Sequence, residues 1–274
     1  MTEPVILLPL DGSQPALHAL PVARVFSALE GAPLRIIHVA DTPPPLPQLA
    51  AQLGLEPGVL RGASVDGRSG EPAALILRAA HETQARLIVL CTHTAEAPPA
   101  DGLGRTALAV LREAPCPVVL VNPKLALDRW TVRKVLLPHE GDPATSEAVR
   151  PGAELARQAG ADLIVLQVVS ADTPLLHGRG SLAPPVYIDQ PQHEWSAWAA
   201  EFIERLGCVC PLADLRVRLL LGRGTPAAEI LRVARDYAAD LVVLAWKGAW
   251  GPERAATLRA VVREAPCPAM VVRL

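Results

Sequence analysis

Few side chains in this sequence have the type and spacing for chemistry, and most of those follow short apolar runs. Asp11 and Ser13 stand two residues apart just after Val5-Ile6-Leu7-Leu8-Pro9, but spacing ties no histidine to them, so a Ser-His-Asp relay is not supported. His18, His81, His139, His177 and His193 show no metal-ligand spacing. Five cysteines, an odd number without regular spacing, argue against a disulfide framework. Cys208-x-Cys210 lacks the histidine partners of a zinc site. Cys116 and Cys267, each held between prolines, read as small buried hydrophobes. Cys91 is the better redox candidate because it opens a loop that could border a ligand. Gly222-Arg223-Gly224-Thr225 has some of the glycine spacing of a phosphate loop but no Lys-Ser/Thr ending. Thr225 as helix cap and Pro226 at the first helical position account for it without a ligand.

The elements that must position these groups are announced by a phrase used twice. Arg-Glu-Ala-Pro-Cys-Pro occupies residues 112–117 and again 263–268, each time between an amphipathic helical stretch and an apolar strand. Proline pushes the residue before it out of the helical region, so the phrase stops a helix and starts an extended chain. A junction of six residues repeated in this way marks a duplication, with domains expected at 1–124 and 131–274 and a linker around Asn122–Arg133. Half of the 274 residues are hydrophobic and only 3% aromatic, which suits aliphatic parallel strands covered by helices on both faces. A net charge of −2 gives no basic footprint for nucleic acid. No apolar run approaches the ~18 residues of a membrane span, and the start carries no basic leader, so a soluble cytoplasmic protein is expected.

In chain order, Val5–Pro9 reads as a strand and Ser13 caps a helix that ends at Gly31, with Pro21 kinking or shortening it. Leu34–Val39 is a second strand. Residues 42–66 read as a loop with a short helix, and Gly67–Pro72 as the opening of a helix with a core stripe of Ala73, Ile76, Leu77 and Ala80. Leu87–Leu90 and Val118–Val121 complete the first half. Lys134–Pro138, Leu163–Val168, Leu241–Leu244 and Ala269–Val272 repeat those strands. Pro138 lies 129 residues after Pro9 but Ile230 lies 154 after Ile76, so an insert of 25 (154 − 129) falls within Ser170–Pro211. With Tyr187, Trp195, Trp198 and Phe202, the insert reads as a covering helix with a small core of its own, or as a lid for a ligand or partner. Alternating strands and helices imply two tandem doubly wound parallel-sheet domains, an α/β fold. Ligands bind such sheets where the strand order reverses. The places to inspect are thus Asp11–Ser13 with Cys91–Thr106, and Glu140–Asp142 with Ala245–Thr257.

Taken together, Leu8-Pro9-Leu10-Asp11-Gly12-Ser13, His38-Val39, the helix opened at Gly70 and the Ala-Pro-Cys-Pro junction, in this order twice, resemble the universal stress protein family. The resemblance implies five-stranded, adenine-nucleotide-hydrolase-like domains and, in members that bind ATP, a loop of Gly, two residues, Gly, nine residues, Gly and then Ser or Thr. The matching positions here are Cys91, Thr94, Gly104 and Arg105, with Thr106 next to them; the spacing is intact but one glycine of three remains. In the second half they are Ala245, Gly248, Ala255 and Ala256, with a shorter loop before Thr257. By resemblance, Pro9, Leu10, Asp11, Val39, Thr92, His93, Thr94, Gly104, Arg105 and Thr106 would form a nucleotide site. Glu140, Val168, Gly248 and Thr257 would form a degenerate copy. His93, Arg105, Lys247 and Arg254 are either phosphate partners or exposed loop cations. The expected protein is a non-enzymatic stress-response module for ATP, another adenine nucleotide or a small metabolite, with Mg2+ only alongside ATP. The resemblance also implies an internal pseudo-dimer through the last strands, with a further homodimer left open. The rivals are a slow ATPase and a scaffold that has lost its ligand and holds a partner.

Overall fold

The computed structural model describes residues 3–40, 48, 51, 53, 55, 63–94, 102–139, 145–169, 194–251 and 255–274. The first half runs β1 (Ile6–Pro9), α1 (Gln14–Leu17), α2 (Ala19–Glu30), β2 (Leu34–Val39), β3 (Ala63–Arg68), α3 (Pro72–Glu82), β4 (Leu87–Cys91), α4 (Arg105–Glu113) and β5 (Val118–Val121). The second runs β6 (Lys134–His139), a 3-10 turn (Thr145–Ala148), α5 (Val149–Ala159), β7 (Asp162–Val169), α6 (Glu194–Val209), β8 (Val217–Arg223), α7 (Pro226–Asp236), β9 (Leu241–Trp246), α8 (Ala256–Glu264) and β10 (Ala269–Arg273).

All these strands lie in one ten-stranded sheet, in the order β3-β2-β1-β4-β5-β10-β9-β6-β7-β8. Every pairing is parallel except the seam, where β5 meets β10 antiparallel with Val119 opposite Met270. The strands fed by the two copies of the repeated junction are therefore the ones that join the halves. Side chains alternate across them. Val119, Val121, Met270 and Val272 enter one core, while Val118, Leu120, Ala269 and Val271 enter the core on the other face. Each core runs across both halves, so neither half closes its own hydrophobic interior. Residues 122–133 also bridge the seam. Trp130 packs on Phe26 with ring centroids 5.8 Å apart and donates its Nε1–H to the Asp240 carbonyl at 2.9 Å.

Three local expectations change. Ala63–Arg68 is a strand where a loop and a helix opening were expected, and Val217–Arg223 is its counterpart. Both are edge strands, half-exposed and carrying Gly and Arg, so neither shows the continuous apolar run of the inner strands. The first helix breaks at His18, three residues before Pro21. Pro21 has no N–H for the Leu17 carbonyl and its ring crowds that group, which places the break one turn upstream of the proline. Thr225 occupies the N-cap position of α7, but its side chain makes no capping bond there. Ser13 does cap α1, accepting from the Ala16 amide at 3.3 Å.

Of the insert, α6 is described. Its Phe202 and Leu206 are fully buried in the shared core rather than in a small core of their own. Tyr187 and the rest of residues 170–193 lie outside the described residues.

Candidate functional site

Two crevices open at the carboxyl ends of the strands, one in each half. They sit where the order reverses, between β1 and β4 and between β6 and β9. β1 pairs with β4 only at Ile6–Leu87 and Leu7–Ile88, and β6 with β9 only at Val135–Leu241 and Leu136–Val242. Beyond those pairs the strands splay and the gap begins.

The first crevice encloses about 430 Å3. Pro9, Leu10, Asp11, Val39, Thr92, His93, Thr94, Gly104, Arg105 and Thr106 all line it, together with Ile37, Pro72, Ile76 and Leu90 from the apolar walls. The β1 end is held by buried His38, whose Nδ1 lies 2.8 Å from the Leu10 carbonyl oxygen. Asp11 then turns the chain, accepting the Ser13 amide on Oδ1 at 2.9 Å, with Gly12 supplying the positive φ of +87°. Partial burial pushes the Asp11 pKa up, but hydrogen bonds from Ser13 and Thr94 outweigh it and leave the pKa below its ordinary 3.8. The carboxylate is ionised at neutral pH.

The opposite wall joins the end of β4 to the start of α4. The Thr92 amide bonds to the Val121 carbonyl at 2.8 Å, and the Thr92 carbonyl accepts the Gly104 amide at 2.7 Å. Gly104 caps α4 in an extended conformation (φ −66°, ψ 159°) with no side-chain capping bond. A Cβ added there would meet Thr92 O at 3.5 Å and His93 Cα at 3.8 Å, both ordinary contacts. Neither conformation nor packing requires glycine; its effect is to leave backbone open to the cavity beside the first-turn amides of α4. Arg105 stands exposed on that same turn. An amide-lined helix start with an adjacent guanidinium suits phosphate oxygens.

Two expectations are corrected here. His93 is neither a phosphate cation nor an exposed one. It is 7% exposed with Nδ1 2.9 Å from Thr92 Oγ1, and burial, then Lys124, lower its pKa, leaving the ring neutral at neutral pH. Cys91 is a poor redox centre. Burial, with Asp11 adding to it, raises the thiol pKa to about 11, and Sγ donates to the His93 carbonyl at 3.2 Å. Cys116 and Cys267 are both pushed up to about 12 by burial, in keeping with inert hydrophobes. Among the described residues no cluster of three metal-ligating side chains occurs.

The second crevice is larger, about 530 Å3, and different in character. Val168 and Thr257 line it; Gly248 does not, and Glu140 and Arg254 lie outside the described residues. Gly248, at φ +82°, belongs to the turn that brings the Ala249 carbonyl to Trp246 Nε1 at 3.2 Å. Trp246 follows β9's apolar run at the position that Thr92 holds after β4's, and it is 4% exposed. The cap of α8 is Ala255, at φ −119° and ψ 16°, and its amide is already bonded to the Gly251 carbonyl at 3.0 Å. The Gly104 amide is engaged in the same way, so what differs is the methyl group that Ala255 carries where Gly104 leaves backbone open, and Trp246 in the place of Thr92. Trp246, His139, Ile230, Leu258 and Leu274 were not anticipated as lining residues. Aligning the repeats at Thr92 and Trp246 was the one signal in the sequence that could have exposed the change.

A duplicated doubly wound α/β sheet with a ligand-sized crevice at each switch point defines the class. The universal stress protein family model matches residues 55–122 and 131–273, and the chain belongs to that family. A universal stress protein of Thermus aquaticus is 34% identical over 136 residues, covering 43% of this chain and 97% of the relative. One of Methanocaldococcus jannaschii is 23% identical over 148 residues, 52% of this chain and 82% of the relative. Both spans match about one half of the duplication. The crystal structure of a universal stress protein from Archaeoglobus fulgidus matches across both halves, with a TM-score of 0.69 at 17% identity, covering 98% of each chain.

Proposed function

We propose that this universal stress protein is a non-enzymatic stress-response module that binds an adenine nucleotide, ATP in the first instance, in the first crevice. One observation carries the reading: a single cavity pairs an ionised carboxylate at the β1 end with the open amides of α4 and Arg105. The walls of Ile37, Val39, Ile76 and Leu90 suit a flat base, Asp11 suits ribose or base donors, and the helix start suits phosphates. Mg2+ would arrive only with the nucleotide. Asp11 is the one carboxylate among the described residues of this cavity, and it is already engaged by Ser13 and Thr94, which favours binding over a positioned base for hydrolysis. Among the described residues no helix is long and apolar enough to cross a membrane, which suits the cytoplasmic role proposed here.

Calorimetry of the full chain with ATP, ADP and AMP tests this. Saturating heat at one site is expected, with Asp11→Ala weakening ATP by ~10-fold, about 1.4 kcal/mol, and no phosphate released above background. No heat and no thermal shift at millimolar nucleotide would overturn the reading and leave the partner-holding scaffold. Turnover lost in Asp11→Ala would favour the ATPase instead.

A further inference from the structure

We infer that the phosphate end of the first crevice is held in place from the second half, with Asn122 and Gly102 as its positioning residues. The assignment deepens the nucleotide reading and rests on it only for the choice of ligand. α4 begins at Arg105, and Gly102–Gly104 lead into it. That lead-in packs on α8 of the other half. Gly102 is buried at φ +77°, and a Cβ added to it would lie 3.3 Å from Arg263 Cβ and 3.8 Å from the Arg259 carbonyl oxygen. A side chain there would press on α8 and strain a backbone conformation that glycine adopts freely. Leu103, 4% exposed, enters the same core as Leu258, Val261 and Val262 of α8.

The end of β5 closes the circuit. Asn122, the next residue, donates from Nδ2 to the Arg263 carbonyl at 3.0 Å. Arg263 lies in the last turn of α8, where carbonyls have no partner within the helix. Asn122 Oδ1 accepts the Lys124 amide at 3.0 Å, which fixes the direction of the side-chain amide. One residue earlier, the Val121 carbonyl accepts the Thr92 amide at 2.8 Å, and the Thr92 carbonyl accepts the Gly104 amide at 2.7 Å. The start of α4 is therefore set by two routes from one strand end, through Thr92 within its own half and through α8 of the other. The two halves differ at this point. At the 151-residue offset of the repeated junction (263 − 112), Asn122 corresponds to Arg273 and Gly104 to Ala255. Arg273 stays in β10, paired with Trp246, whereas β5 has ended at Val121 and Asn122 turns to α8. The tie to the neighbouring helix thus belongs to the half whose crevice has the polar rim.

The test is amide hydrogen exchange and calorimetry on the full chain, comparing the parent with Asn122→Ser and Gly102→Val. Serine at 122 can still accept the Lys124 amide but is too short to reach the Arg263 carbonyl, and it leaves the charge unchanged. Without ligand, exchange of the Gly104 amide should rise ~3-fold in Asn122→Ser, the scale of one lost hydrogen bond. In Gly102→Val it should rise ~10-fold or more, the scale of a strained backbone position. Exchange within α3 should not change in either variant. ATP should weaken by similar factors, while adenosine, which has no phosphate to meet α4, should bind as in the parent. Unchanged Gly104 exchange in Asn122→Ser would overturn the inference, and so would equal losses of ATP and adenosine. If the parent bound neither ligand, the nucleotide reading would fall, and Gly104 exchange would still decide whether α8 holds the start of α4. Asn122 is partly exposed, so the test stands even if Gly102→Val fails to fold.

Discussion

The two crevices come from the same strand-and-helix unit and sit at the same place in their half-sheets, yet one residue at the strand end separates their chemistry. After β4 stands Thr92, a small residue whose backbone is bonded to both Val121 and Gly104, so the start of α4 faces the cavity with open amides. At the corresponding position Trp246 ends β9, a buried aromatic residue among those lining the second crevice, where the first half has a polar rim. A duplicated scaffold keeps its splayed strands because hydrogen-bond register fixes them. The loop residues at the strand ends carry no such duty and can diverge. The same sheet can therefore carry a crevice with a polar rim in one half and a more apolar crevice in the other.

The largest test of that comparison removes the phenylalanine that each half contributes to the shared core. Phe26→Ala and Phe202→Ala should each destabilise the protein by about 3–5 kcal/mol in chemical denaturation, since both rings are fully buried. Because the cores are continuous, each variant should still unfold in one transition; two separated transitions would show independent halves. Phe202 lies edge-on to His139, 5.5 Å between centroids, and His139 lines the second crevice, so loss of Phe202 should leave ATP binding in the first crevice unchanged.

A second test closes the first crevice alone. Gly104→Glu places a carboxylate at the start of α4, where the backbone geometry tolerates a side chain. ATP affinity should fall at least ~100-fold, about 2.7 kcal/mol, while the melting temperature stays near that of the parent. An unchanged ATP affinity would contradict a nucleotide site in the first crevice.

Smaller effects follow from protonation. The folded pKa of Asp11 is depressed, so the stability it adds is present above its ordinary pKa of 3.8 and is lost as pH falls through the folded value. The stability difference between the parent and Asp11→Asn should therefore be flat near neutrality and shrink below about 3.8. A difference that instead changed between pH 5 and 8 would implicate another group. The smallest effect concerns thiols. Cys208 is exposed, while Cys91 is buried with its pKa raised to about 11. In the native protein at neutral pH, a disulfide reagent should modify Cys208 well before Cys91, by ~100-fold or more in rate. Rapid labelling of Cys91 would restore the redox reading of the first crevice.

Much of the fold was legible because it rests on local rules. The repeated Pro-Cys-Pro junction stops helices and starts strands wherever it occurs, and the aliphatic runs at Leu87–Leu90 and Leu241–Leu244 can only be inner strands. Ala107, Val110, Leu111 and Ala114 show a helical stripe that is buried as its period requires. The edge strands were not legible, because Ala63–Arg68 and Val217–Arg223 are recognised as strands by their partners and not by their own polar, glycine-bearing sequences. The lining of the first crevice was legible as well, since its residues lie just after apolar runs and converge at the switch point. Its electrostatics were not. Whether His93 is charged depends on how deeply the fold buries it and how near it brings Lys124, and neither is encoded in spacing.

The sequence by itself determined that this chain is a duplication, that each copy is a strand-helix alternation with a switch point, and that its last strands are equivalent. Periodicity and proline stereochemistry act over a few residues, so they can be read without knowing the fold. Only the tertiary structure decided that β5 and β10 pair antiparallel to make one sheet with two shared cores. It also decided that Trp246 lines one crevice while Thr92 helps to open the other. Those outcomes depend on which distant groups share a space, and burial, not sequence order, sets what each side chain there can do.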